Sequence, residues 1–424
     1  MDTNGHELGW RGRWLRRAFW AMALSALLLA VVNSATAEQL QFTFGSDVVQ
    51  AGETLVRVTN RYSSELGYGF EHSTGLGVGR DFIASATPFL FSVKLPEGNY
   101  AVTVALGGAA DSEVTVKAEA RRLMLERVTV LANEARTRTF VVNVRRPEIT
   151  GGSRVRLKQR ELDTEMVTWD DKLTLEFNGN SPAVRSLKIT PTNVPTIFLT
   201  GDSTVCDQPY EPWNSWGQML PRFFGPGAAV ANYAQSGESI KSSLGAKRFE
   251  KVFSLMQPND WLLVQFGHND MKDKSADALA VYQSNLKLIV AQTRKLGGTP
   301  VLITSMERKS GVERDTLAAY PQTVRDVARE AGVALIDLHA ISKVLYRALG
   351  AELDVAFQDG THHNNYGSYQ LAQCVVAGIR TNVPALAKYL ADDVPAFDPA
   401  QPLSPAGFKM AVSPAADLEQ PDGN

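Results

Sequence analysis

Four short segments of the 424-residue chain carry side chains that together could cleave an ester. Thr200-Gly201-Asp202-Ser203-Thr204 offers a hydroxyl just past a short apolar run, and Gly201 permits a tight turn there. A serine hydroxyl is a weak nucleophile and needs a base. Asp359-Gly360-Thr361-His362 supplies a carboxylate three residues ahead of an imidazole, where it could bond the ring and hold its tautomer. His363 competes for the same role if the turn faces the other way. Donors for developing negative charge come from two further segments. Gly237, in Gln235-Ser236-Gly237-Glu238, could expose a backbone amide, and Gly267-His268-Asn269-Asp270 presents the Asn269 side-chain amide. Singly, each has a plain alternative: Ser203 as a helix cap, Gly237 as a turn residue, Asn269 as a loop cap. Jointly they describe acyl transfer, with Ser203 as nucleophile, His362 as base and Asp359 as its orienting carboxylate. The amides of Ser203 and Gly237 and the side chain of Asn269 would form the oxyanion hole.

Other chemistries fit less well. Asp202, Asp270, Asp359 and His362 could gather around a metal, but acyl transfer uses more of the residues, so no metal or other cofactor is expected. Asp337-Leu338-His339 reads as a structural hydrogen-bonded pair. Val205 stands where a G-x-S-x-G elbow needs its second glycine, and no H-E-x-x-H, phosphate-binding loop or dinucleotide fingerprint is present. Trp213 and Trp216 follow the serine closely and could form a sugar-stacking, substrate-binding wall, although aromatics at such spacing also serve as core. Tyr68, Phe70 and Trp169 pose the same choice in the first half of the chain. Cys206 and Cys374 could pair or remain two buried thiols; two cysteines are too few for a disulfide scaffold.

These segments must be held by a frame. Ile197–Leu199, Ala229–Tyr233, Trp261–Phe266, Val301–Thr304 and Val333–Leu338 are short apolar runs of the kind buried on both faces of a parallel sheet. Helical periodicity lies between them. Over 277–296, Leu279, Tyr282, Leu286, Ile289, Val290 and Leu296 recur near the 3.6 period, and Pro321 can open the next helix, with Gly332 to end it. The expected fold class is α/β, a parallel sheet with helices on both faces, over residues 193–398. Residues 38–192 alternate with period two and carry turn residues at short spacing, as an all-β sandwich does. Residues 399–424, rich in Pro, Ala and Asp, read as an irregular tail.

Composition excludes other classes. With 43 Lys and Arg against 45 Asp and Glu the net charge is -2, and no basic block exists, so a nucleic-acid partner is not expected. Residues 1–37 read as a signal peptide. Arg11, Arg13, Arg16 and Arg17 precede an apolar run from Phe19 to Val32 and the small-residue site Ala35-Thr36-Ala37. The expectation is export to the periplasm or the exterior, with no membrane association after cleavage.

In order and spacing, the four segments resemble the blocks of the SGNH (GDSL) hydrolases. The strings Gly201-Asp202-Ser203-Thr204-Val205, Asn214-Ser215-Trp216-Gly217, Gln265-Phe266-Gly267-His268-Asn269-Asp270 and Asp359-Gly360-Thr361-His362 look most like the rhamnogalacturonan acetylesterase branch. The likeness spans about Val194 to Phe397. It implies a three-layer α/β/α fold and hydrolysis of O-acetyl esters on an acetylated polysaccharide or oligosaccharide of plant cell-wall pectin. The β-rich half resembles the galactose-binding-like sandwiches that accompany such esterases, and so a possible carbohydrate-binding domain. Lipid or thioester hydrolysis within the same superfamily, or glycan binding without catalysis, are the alternative functions.

Overall fold

The computed structural model describes residues 39–46, 49, 51–71 and 75–422, so the expected signal segment lies outside the described residues. The alternating runs of the first half form two sheets. One has the order Arg136–Val144, Gly98–Leu106, Ala183–Pro191, Leu40–Phe44, Thr54–Val56, with the hairpin Gly77–Val78 and Ile83–Ala84 against Ala183–Pro191. The other runs Tyr68–Phe70, Phe89–Lys94, Lys172–Asn180, Ser112–Ala118, Arg122–Val130. Inward-pointing aromatics lock the sheets together: Phe42 meets Phe91 at 5.6 Å between ring centroids, and Phe44 meets Phe91 at 5.1 Å and Phe70 at 6.2 Å. Phe70 is thus core rather than a sugar platform, and the Tyr68 ring leans on Phe42. Trp169 is likewise buried, against Tyr233 and under the Arg145 guanidinium.

A five-stranded parallel sheet follows, in the order Ala229–Asn232, Thr196–Gly201, Trp261–Gln265, Thr299–Ile303, Ala334–Ile336. Its strands are apolar on both sides for a visible reason. Ile197, Leu199, Leu263, Val301 and Ile303 enter one core, while Phe198, Leu262, Val264 and Leu302 enter a second on the opposite face. Helices Trp216–Met219, Leu338–Leu349 and Asn365–Asn382 cover the first face; Arg248–Leu255, Ala278–Lys295 and Tyr320–Ala331 cover the second. The molecule is α/β, three layers deep, with the sandwich preceding it. Helix Ala278–Lys295 buries Tyr282, Leu286, Ile289 and Val290 as its period predicts, but Leu279 points to solvent in the first turn. Gly332, at φ 58°, ends Tyr320–Ala331 in the left-handed conformation that glycine adopts without strain.

Cys206 and Cys374 are both free and buried, so the two-thiol alternative holds. No helix among the described residues is long and apolar enough to cross a membrane.

Candidate active site

In a 2-1-3-4-5 sheet the neighbours of the first strand lead away in opposite directions, which leaves a crevice beyond its carboxyl end. Strand Thr196–Gly201 ends there. A side chain at Gly201 would put its Cβ 2.5 Å from Val205 Cγ2 and 2.8 Å from the Gln265 carbonyl oxygen, so only glycine lets the chain turn so tightly. Asp202 plugs the turn. Its Oδ1 accepts from the Thr204 amide at 3.0 Å and the Thr204 hydroxyl at 2.7 Å, and its Oδ2 lies 3.3 Å from His268 Nδ1. Burial pushes the carboxyl upward, but His268 and the Thr204 donors outweigh it and hold Asp202 below the usual carboxylate range.

Ser203 comes next, and its Oγ lies 2.8 Å from His362 Nε2. His362 Nδ1 is 2.7 Å from Asp359 Oδ2, while Asp359 Oδ1 accepts from the amides of Thr361 and His362, each at 2.6 Å. The carboxylate therefore fixes both the loop and the ring from within one turn of chain. Burial pushes Asp359 up; the hydrogen bond and charge of His362 and the two amides overcome this and bring it to about 2. Ser203, His362 and Asp359 are joined across 159 positions of chain.

Gly237 follows strand Ala229–Asn232 with φ 72°, again a left-handed position. Among the described residues, the amides of Ser203 and Gly237 donate to no other protein acceptor. Asn269 spends one of its two amide hydrogens on the Glu238 carbonyl at 3.1 Å, which ties the third segment to the second and leaves the other hydrogen available. Asp270 joins the same segments through the Ile240 amide at 2.9 Å.

Several competitors resolve. His363 is buried, its Nε2 is 3.0 Å from the Tyr346 hydroxyl, and burial depresses its pKa to about 3, so it is a structural neutral ring. Trp216 does not form a sugar wall: it is 1% exposed, packs in the sheet core and donates from Nε1 to Gln265 Oε1 at 2.8 Å. Trp213 does reach the site, perpendicular to the His362 ring. Asp337 caps helix Leu338–Leu349, and His339 faces Glu307 at 3.1 Å. Among the described residues, Glu307, Asp315 and His339 form one group with metal-ligand spacing, but Lys343 already pairs with Asp315 and Arg325 meets His339 Nδ1 at 3.2 Å. Cations of the protein itself fill that network.

Other residues at the site carry no motif. Gln208 Nε2 donates to the Ser203 carbonyl at 2.8 Å. The tail crosses the molecule to arrive here: Ala415 and Asp417 pair with the Glu211 backbone, and Gln420 Nε2 donates to Asp359 Oδ2 at 2.6 Å. A Cβ at Gly237 would lie 2.9 Å from that of Asp422, and Arg160 holds the Gln420 carbonyl at 3.0 Å. Beneath this strap Ser203 and His362 are each 1% exposed. The only sequence signal for the strap is its composition, which says nothing of where it goes.

Comparison with known proteins places this geometry in context. Residues 199–369 match the GDSL-like lipase/acylhydrolase family. Over 205 residues the chain is 36% identical to a rhamnogalacturonan acetylesterase of Bacillus subtilis (strain 168), covering 43% of this chain and 88% of the relative. Over 395 residues it is 26% identical to an uncharacterized esterase of the same bacterium, covering 85% of this chain and 97% of that one. The crystal structure of a Bacillus subtilis protein, 25% identical, aligns with a TM-score of 0.44 over 81% of this chain and 98% of that one.

Proposed function

The chain belongs to the GDSL-like lipase/acylhydrolase family and is a carboxylic ester hydrolase; from that premise we propose that it removes O-acetyl groups from plant cell-wall polysaccharide, with rhamnogalacturonan as the substrate. One observation carries the mechanism: the unbroken line Ser203 Oγ, His362, Asp359 at 2.8 and 2.7 Å. In this reading His362 takes the Ser203 proton as Oγ attacks the acetyl carbonyl, and Asp359 stabilises the imidazolium. The amides of Ser203 and Gly237 and the free hydrogen of Asn269 receive the oxyanion. His362 then gives its proton to the departing sugar oxygen, leaving Ser203 acetylated. Water, deprotonated by His362, attacks that ester; acetate leaves and the proton returns to Ser203.

The substrate class rests on the relative named a rhamnogalacturonan acetylesterase, 36% identical over 205 residues and covered to 88%. Export is part of the same proposal and rests on the basic and apolar pattern of residues 11–37. The test is acetate release by the whole protein from acetylated rhamnogalacturonan, acetylated xylan and aryl acetates, with the Ser203→Ala variant as control. Turnover by the variant equal to the parent defeats the mechanism. Preference for an aryl palmitate over the acetate defeats the substrate class and favours lipid hydrolysis.

A further inference from the structure

One turn of the sandwich reaches into the catalytic half. Its strands Ser112–Ala118 and Arg122–Val130 are joined by Glu119-Ala120-Arg121, with Glu119 at φ 54° and Arg121 at φ 62°. Left-handed conformations at non-glycine residues cost energy and persist where the surroundings dictate them. Glu119 is held by Thr174 of the sandwich itself, whereas the surroundings of Ala120 and Arg121 include the other half of the molecule. Gln218 Nε2 donates to the Ala120 carbonyl at 2.5 Å, and Leu123 is buried in the same core as Trp216 and Leu220.

Arg121, 4% exposed, is the centre of this intrusion. Its Nη1 donates to the carbonyls of Gln208 at 3.2 Å and Trp213 at 3.0 Å. Its Nη2 meets Glu211 Oε1 at 2.7 Å and Asn365 Oδ1 at 3.3 Å. These partners come from two different loops. Gln208, Glu211 and Trp213 belong to the segment that leaves Ser203, whereas Asn365 opens the helix that follows His362. Further bonds cross the same seam: Asn214 Nδ2 donates to Asn365 Oδ1 at 2.7 Å, the Asn214 amide to the His363 carbonyl at 3.0 Å, and Asn365 Nδ2 to Glu211 Oε2 at 2.9 Å. Next to it, Arg122 holds Asp207 at 2.6 Å.

We propose that Arg121 is a positioning residue for the reaction: a guanidinium supplied by the sandwich that sets the nucleophile loop against the loop of the base. The inference rests on the Ser203–His362 reading above. It also gives the sandwich a task other than glycan binding, as part of the scaffold that sets the reacting atoms. Only a planar fork with several donors can serve these four acceptors at once; a lysine keeps the charge beside Glu211 but not the geometry.

The test is Arg121→Lys in the full chain, assayed on an aryl acetate alongside the rate at which a fluorophosphonate labels Ser203. Small misplacement of reacting groups costs up to about 100-fold, so kcat and labelling should fall at least roughly tenfold while KM stays within about twofold. A folded Arg121→Lys protein with parental kcat, or one altered in KM alone, overturns the proposal. If that variant does not fold, Asn365→Ala decides, because it removes the side-chain bonds that Arg121, Asn214 and Glu211 make to the helix after His362 and leaves the Arg121–Glu211 pair in place. Loss of kcat at unchanged KM supports the tie, and parental kcat refutes it. Failure of the parent protein itself to be labelled at Ser203 would instead remove the reading on which the inference stands.

Discussion

The indole of Trp213 stands at 89° to the imidazole of His362, with ring centroids 5.8 Å apart. That perpendicular contact buttresses the ring, and such pairs contribute about 0.5–1.5 kcal/mol. Trp213→Ala should therefore lower kcat by roughly three- to tenfold through a loosened base, with a smaller change in KM. A large rise in KM with kcat intact would mark Trp213 as a sugar contact instead.

Asn269 should matter more. Loss of one oxyanion donor costs about 3 kcal/mol, or roughly 100-fold in kcat. Asn269→Ala also frees the Glu238 carbonyl, so the circular dichroism of the variant should be compared with the parent. A fall of less than about tenfold in kcat would remove Asn269 from the site.

Stability should pass through a maximum on the acidic side of neutrality. Burial raises Glu119 to about 8 and Glu165, Asp170 and Asp270 each to about 7. Between the unfolded carboxylate value of about 4 and these values the folded chain holds protons the unfolded chain releases, so stability declines as pH rises across that window. Asp359 and Glu307 act oppositely: both lie at about 2 in the folded protein, and their contribution is lost as pH falls from about 4 toward 2. The urea midpoint should drop from pH 5 to pH 8. Asp270→Asn, which keeps the Ile240 acceptor, should make that slope shallower; an unchanged slope would assign it to other groups.

Removal of residues 418–424 should uncover Ser203. The strap is held near the site by the Gln420–Asp359 and Arg160–Gln420 hydrogen bonds, each contributing about 1 kcal/mol. Labelling of Ser203 by a fluorophosphonate should accelerate by roughly tenfold on the scale of one to two such bonds, and KM for a polymeric substrate should fall. Equal or slower labelling would show that the tail is no obstacle.

What could be read from the residues alone follows from how local each feature is. The continuous apolar run Ile197 to Leu199 and the period of Tyr282, Leu286 and Ile289 report backbone geometry directly, so the layers were legible. Asp359 and His362 lie within one turn of chain, and Ser203 follows a strand end, so their grouping was legible too. His362 leads over His363 from its spacing to Asp359, but what removes His363, the capture of its ring by Tyr346 of another helix, could not be read from sequence. Trp213 and Trp216 look alike in sequence; only the packing of Trp216 on Gln265 separates them. Arg121, Asp207 and Gln420 escaped notice because an arginine in a hairpin or a glutamine in a polar tail carries no pattern, and its partner is fixed only by tertiary contact.

Leu123 of the sandwich is buried in the same apolar core as Trp216, so the two halves share that core there. Neither can come apart without wetting the other, and Gln39–Asn424 is one compact unit. A calorimetric scan of this molecule should accordingly trace one endotherm, with calorimetric and van't Hoff enthalpies in agreement, where a pair of loosely tethered modules would give two.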